Sequence, residues 1–209
     1  PGGLDVELWS TLTQPKAGQE GVQSWRHQLE LETGLTPRWD VAVYNVFDRL
    51  QGDTLQYAQT KLETRYRLSD YGEWFVDPVL YLELRKEWTF DKPFSAEGKL
   101  ILGKDLGPLN LSLNGLYEIE FIPGGGGREH ELGYAFGASY EVVPWARLGG
   151  EVFGDWQRAA DTGAWESEHY AGPAVSLAWG RTWLVLAGGF GLTDTSAKNQ
   201  LRAIFALQL

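Results

Sequence analysis

Apolar and polar residues alternate along nearly the whole chain, so that an apolar residue recurs at every second position. Between positions 24 and 35, Leu29 and Leu31 fall on one face of a strand, while Glu30 and Glu32 fall on the other. A period of two indicates β-strands, and no segment shows the 3.6-residue spacing of an amphipathic helix. The same alternation recurs in the segments 80–87, 109–120 and 131–141. One face of each strand is apolar and the other is charged.

The turn signals divide this pattern into about twelve strands. Such a tally puts roughly two-thirds of the chain in strand, which is typical only of a barrel or a sandwich. The predicted strands span about 4–12, 24–35, 39–50, 54–68, 78–88, 95–104, 109–121, 130–142, 146–157, 168–179, 182–192 and 199–209.

The predicted connections alternate between short and long. Short turns follow strands two, six, eight and ten, and longer polar segments follow the odd-numbered strands; segment 69–77 breaks the rule because it is long where a short turn is expected. Outer-membrane barrels have this alternation, with short periplasmic turns and long extracellular loops. We therefore predict an all-β fold: one domain over 1–209, a transmembrane antiparallel up-and-down barrel with both termini periplasmic.

The charge and composition exclude several other classes of function. The net charge of −10 disfavours a nucleic-acid partner, since phosphate backbones need a basic surface. The chain has no cysteine, which excludes a disulfide framework and a thiolate metal site. The three histidines lack metal-ligand spacing. No cofactor is implied.

Tryptophans mark both predicted ends of the strands. Their amphipathic rings prefer the headgroup level of a bilayer, so two girdles flanking an apolar band predict a membrane protein. The alternative is that they cap a soluble core. The predicted membrane-interface aromatics are Trp25, Trp39, Trp88, Trp145, Trp156 and Trp179.

The last strand carries a second membrane signal. Phe205, Leu207 and Leu209 alternate up to the terminal carboxylate, as in strands that the barrel-assembly machinery recognises. Leu209 stands where such strands usually end in an aromatic residue. We expect the outer-membrane lipid and the assembly machinery as partners.

Several segments resemble a known group of proteins. The segments 61–67, 77–83, 137–144, 169–174 and 189–194 are similar to those of poorly characterised Gram-negative outer-membrane barrels. That group is placed with porin-like transporters of the phenol-degradation-associated kind. The resemblance spans roughly residues 60 to 209 and implies an outer-membrane barrel; it implies location and fold more than substrate.

In a membrane barrel the apolar face points to lipid, so the charged face points to the lumen. Acids outnumber bases there, which predicts a small passive channel for polar or cationic solutes. The alternative is that opposite charges pair and close the interior. The predicted lumen-lining residues are Arg26, Glu30, Glu32, Lys61, Glu63, Arg65, Arg67, Glu83, Arg85, Glu87, Glu97, Lys99, Glu118, Glu120, Glu131, Arg147, Glu151 and Asp155.

Two further hypotheses belong to other classes of protein. A closed barrel could anchor or hold a partner protein. A rim hydrolase would need acids beside a histidine, and His130 with Asp155 or Glu168 is the candidate cluster. A solvated charged loop explains those residues better, so we expect no enzyme.

Overall fold

The structure, a computed structural model, describes residues 2–17, 22–87, 92–125, 127–158 and 163–209. Twelve antiparallel strands form one closed barrel. They are β1 (Leu4–Gln14), β2 (Ser24–Thr36), β3 (Trp39–Leu50), β4 (Gln56–Arg67), β5 (Asp77–Glu87), β6 (Phe94–Leu106), β7 (Leu109–Ile122), β8 (Gly127–Val143), β9 (Ala146–Arg158), β10 (Trp165–Trp179), β11 (Thr182–Gly191) and β12 (Asn199–Gln208).

The barrel closes by pairing the first strand with the last. Each strand otherwise pairs with its neighbours in sequence, and β1 meets β12 in a register that sets Leu8 opposite Phe205. Closure leaves no unpaired edge strand, as a bilayer requires. The predicted all-β barrel and its strand number are confirmed.

The connections confirm the predicted alternation. Residues 37–38, 107–108, 144–145 and 180–181 form two-residue turns at one end of the barrel, which we call the short-turn end. Longer connections join the strands at the opposite end, which we call the long-loop end. Pro123–Gly125 forms a 3₁₀ turn there. No helix among the described residues is long and apolar enough to cross a bilayer.

Four strand ends extend two or three residues past the predicted limits. β8 begins at Gly127, β10 begins at Trp165, β1 ends at Gln14 and β6 ends at Leu106. The apolar alternation does not mark these ends, because the backbone ladder continues beyond it into segments next to the connections, such as residues 127–129, which contain no apolar side chain.

The one long connection at the short-turn end, residues 68–76, is tied down locally. Arg38 Nη2 lies 2.9 Å from Asp70 Oδ2, and Gly72 N donates to Asp77 Oδ1 at 2.6 Å. The hydrogen bond from Arg38 holds the pKa of the Asp70 carboxyl below its usual range. The Arg67 guanidinium lies 4.2 Å from the centre of the Tyr71 ring. This segment therefore folds against the barrel mouth.

The two faces of the wall have the polarity of a membrane barrel. Leu29 and Leu31 are 41% and 42% exposed, whereas Glu30 between them is 1% exposed. A soluble barrel places its apolar residues inside, so the order of burial here is inverted.

Glycines on β10 and β11 allow the two strands to approach each other closely. A Cβ atom at Gly172 would lie 1.5 Å from the carbonyl oxygen of Gly188 and 3.2 Å from Gly189 Cα. Only glycine fits at position 172 without moving the neighbouring strand.

Gly172→Ala should lower the free energy of unfolding by on the order of 3 kcal/mol, because the new methyl group overlaps backbone that cannot rotate away. Gly98→Ala is the matched control, since a Cβ there meets no atom within 4 Å; its effect should stay within about 0.5 kcal/mol. Urea unfolding of the barrel refolded in lipid vesicles measures both. Equal stability of the two variants would contradict the close approach.

Candidate functional site in the barrel interior

The barrel interior carries a continuous row of glutamates. The register places Glu63, Glu83, Glu97, Glu118 and Glu131 directly opposite one another on the successive strands β4 to β8. We call these five residues the glutamate row. Like charges at opposed positions of a sheet repel and weaken its pairing. The row therefore requires compensating groups around it.

Basic side chains on both sides of the row supply that compensation. Lys61 and Arg85 lie toward the long-loop end, and Arg65 and Lys99 lie toward the short-turn end. Arg85 reaches across β6 to contact Glu118. The remaining nitrogen–oxygen distances are 3.2 Å for Lys61–Glu83, 3.3 Å for Arg65–Glu63, 2.9 Å for Lys99–Glu97 and 3.5 Å for Arg85–Glu120.

The compensation ends at the β8 side of the row. Glu131 accepts a hydrogen bond of 3.0 Å from the side-chain amide of Gln157 and forms no ion pair among the described residues. Glu120 and Glu129 stand opposite each other in the next layer toward the long-loop end. A cavity of about 110 Å³ lies among these groups and Arg85. Negative charge is therefore in excess at this part of the wall.

A second acidic pair lies on β1 and β2. Glu7 and Glu30 stand opposite each other, 8% and 1% exposed. The indole N–H of Trp9 donates to both carboxylates, at 2.9 Å to Glu7 Oε2 and 3.0 Å to Glu30 Oε2. Neither carboxylate has a basic partner within ion-pair distance among the described residues. This pair is held by neutral donors.

A third contact spans the opposite side of the interior. Arg202 on β12 makes two hydrogen bonds to the Glu151 carboxylate on β9, at 2.6 and 2.8 Å. Two strands separate these residues, and the positions between them are occupied by Gly172 and Ala187. The small residues leave the guanidinium room to cross.

The other predicted interior residues lie on the same inward face. Arg65 contacts Glu32, and Arg67 donates to the Pro37 carbonyl. Glu87 and Asp155 are in register with Gln59 and Glu168. Arg26 pairs with Asp48 at 2.7 Å near the long-loop end, and Arg147 pairs with Glu141 at 2.8 Å near the short-turn end.

Two of the larger cavities of the barrel lie at its two ends. A cavity of about 670 Å³ at the short-turn end is lined by Arg38, Arg65 and Tyr71 among others. A cavity of about 430 Å³ lies near Arg26 at the long-loop end. Between them Val46 is fully buried and Tyr44 nearly so. Side chains therefore fill the interior around these two residues of β3.

The predicted interface tryptophans lie at strand ends and in turns. Trp25 and Trp156 are at the long-loop end, and Trp39, Trp145 and Trp179 are at the short-turn end, exposed except for the half-buried Trp25. Trp88 lies outside the described residues.

The histidines do not form the rim cluster of the hydrolase hypothesis. His130 lies on the outward face, where its Nδ1 is 2.7 Å from the Tyr117 hydroxyl. Asp155 and Glu168 are opposite each other on the inward face. His27 bonds Ser10 at 2.9 Å on the outward face, a cross-strand contact that sequence spacing along one strand does not reveal.

Sequence reasoning missed the aromatic donors of the interior. Trp9 bonds both acids of the second pair, and the Tyr81 hydroxyl donates to Glu83 Oε2 at 2.8 Å. Parity along β1 would have placed Glu7 and Trp9 inside. Their contact with Glu30 depends on the β1–β2 register, which the sequence does not show.

Trp9→Phe should destabilise the barrel by about 2 kcal/mol, because two buried carboxylates lose a hydrogen-bond donor. Trp179→Phe is the control: its ring is exposed at the short-turn end and its indole makes no hydrogen bond to any described residue. Equilibrium unfolding of both refolded variants gives the difference. A loss for Trp9→Phe no larger than for the control would exclude the indole as the bridge.

Comparisons with known proteins bear on the fold. No protein-family model and no curated protein matches the sequence. An outer membrane channel from Pseudomonas putida F1 superposes with a TM-score of 0.74 at 14% identity, over 99% of this chain and 95% of that one. The NanC porin gives 0.61 at 12% (99% and 100%), and the KdgM porin, solved with disordered oligogalacturonate, gives 0.57 at 10% (99% and 97%). The chain therefore has the fold of a bacterial outer-membrane β-barrel.

Proposed function

We propose that the chain is a narrow passive channel of the bacterial outer membrane for small polar solutes, with a preference for cations. The observation that carries this proposal is the glutamate row, whose basic partners compensate only part of the inward negative charge. The proposed lumen lining is the inward face described above.

The acidic excess acts on ions in two ways. Carboxylates around a low-dielectric passage raise the local concentration of cations and repel anions. The bases beside the row set a field across the passage, from Lys61 and Arg85 on one side to Glu131 on the other. A zwitterionic or cationic solute would orient in that field as it passes.

The distribution of space limits the size of the solute. Cavities at both ends are joined by a middle where Tyr44 and Val46 are buried. Passage requires movement of these side chains or of the charged groups beside them. Small solutes are favoured over oligomers.

The similar structures support this proposal because they are described as channels or porins. One is described as an outer membrane channel and two as porins. Their sequences are too distant to carry a substrate over. The association with phenol degradation stays a prediction from the sequence resemblance.

The alternation of turns also supports an orientation. We place the short-turn end and both termini in the periplasm and the long-loop end outside the cell. The last strand would then be read by the assembly machinery from the periplasmic side.

A second function is favoured by a specific contact. The Arg202–Glu151 pair joins β12 to β9 with two hydrogen bonds over the inward face of β10 and β11. A barrel closed by such pairs would serve as an anchor or as a holder for a partner protein.

Replacing both Glu118 and Glu120 with Gln should lower the cation-to-anion permeability ratio by about two- to tenfold, because Arg85 is left without its partners. Arg85→Gln should shift the ratio the other way. Reversal potentials across a planar bilayer under a KCl gradient measure both.

Lys104→Gln supplies the control, since Lys104 lies on the outward face of β6, opposite Leu111, and away from the interior. Its reversal potential should equal that of the unmodified protein. Unchanged potentials in the double variant and in Arg85→Gln would exclude these residues from the conducting path.

A further inference from the structure

All the charged residues on the outward face of the strands are basic. By register, every Asp and Glu in the described strands falls on the inward face, while the outward face carries only basic charges. These are Arg49, Lys86, Lys104, Arg128 and Arg158. The chain as a whole has a net charge of −10. An acidic chain would be expected to carry more acids than bases on any face, yet the outward face of the strands carries bases and no acids.

Four of the five outward bases lie at the same end of the barrel. Arg49 and Lys86 are the penultimate residues of β3 and β5, Arg128 is the second residue of β8, and Arg158 is the last of β9. All four positions are at the long-loop end. We call these four residues the basic girdle. Lys104 alone lies toward the short-turn end.

The described residues offer the basic girdle no acidic partner. Among the described residues none of its members forms an ion pair, whereas the bases beside the glutamate row all do. Arg158 Nε donates to the Gly163 carbonyl at 3.3 Å, and Lys86 contacts backbone carbonyls of Lys92 and Pro93. These contacts orient the side chains, and they bring no negatively charged group to them.

Aromatic residues fix the level of the girdle relative to a bilayer. The register sets Trp25 opposite Arg49, Phe94 opposite Lys86, Phe121 opposite Arg128 and Trp165 opposite Arg158. The Arg128 guanidinium lies 5.3 Å from the centre of the Phe121 ring. Aromatic girdles sit at the headgroup level, and long basic side chains extend to that level from the apolar wall. The charges of the basic girdle therefore lie at the level of the lipid phosphates.

We propose that the basic girdle binds the phosphate groups of lipopolysaccharide, the phosphorylated glycolipid of the outer leaflet. This rests on the orientation given under the proposed function, which puts the long-loop end outside. Guanidinium groups pair with phosphate through two parallel hydrogen bonds, and each base near an anionic membrane surface adds to affinity. Four bases on four strands would fix several glycolipid molecules around the barrel.

The test measures glycolipid binding by the full-length barrel refolded in a zwitterionic detergent. Purified lipopolysaccharide is titrated, and the rise in unfolding temperature gives the apparent affinity. The variant R49Q/K86Q/R128Q/R158Q should bind at least tenfold more weakly. K104Q is the matched control and should bind like the unmodified protein. Equal binding by the quadruple variant, or an equal loss in K104Q, would overturn the proposal.

Single-residue variants and a second anionic lipid provide two further tests. If the quadruple variant fails to refold, R128Q and R158Q are tested singly, and each should show a partial loss; no loss in either would overturn the proposal. Titration with phosphatidylglycerol should give a weaker effect, and an equal effect would overturn the assignment to lipopolysaccharide. Binding is read without any conductance, so a barrel that binds the glycolipid and does not conduct would refute the channel and leave the girdle standing.

Discussion

The structure depends on the requirement that every backbone N–H and C=O inside a bilayer find a partner within the protein. A closed sheet meets this requirement, and the period of two then assigns each side chain to lipid or to the interior. Charged groups on the lipid face are costly unless they reach the headgroups, as long basic side chains do. All the strand carboxylates are consequently confined inside, which produces opposed glutamates on five neighbouring strands.

The confinement of acids explains the arrangement of the bases. Partly buried carboxylates that face one another are stable only when paired or hydrogen-bonded. Four members of the glutamate row are paired with bases, which are Lys61, Arg65, Arg85 and Lys99. The indole of Trp9 supplies the hydrogen bonds for Glu7 and Glu30. Compensation is incomplete near Glu131. The same charges that must be stabilised for folding therefore also create the potential that would select cations.

Much of the fold could be predicted from the sequence, because the alternation of side chains and the residues that form turns are signals within short segments. The number of strands, the faces of residues such as Glu83, and the exceptional 68–76 connection follow from such signals. The contacts of Arg85 with Glu118 and of Arg202 with Glu151 cross intervening strands, and they depend on the stagger of the barrel and on small residues such as Gly172. The cross-strand partners of Trp9 and His130 depend on register, which no single strand encodes.

Single-channel recording of the unmodified, refolded protein in a planar bilayer tests the central claim most directly. The account predicts small, stable current steps whose reversal potential in a KCl gradient shows a preference for potassium over chloride. Silence from protein shown to be inserted, or steps that prefer chloride, would contradict a channel governed by its inward carboxylates.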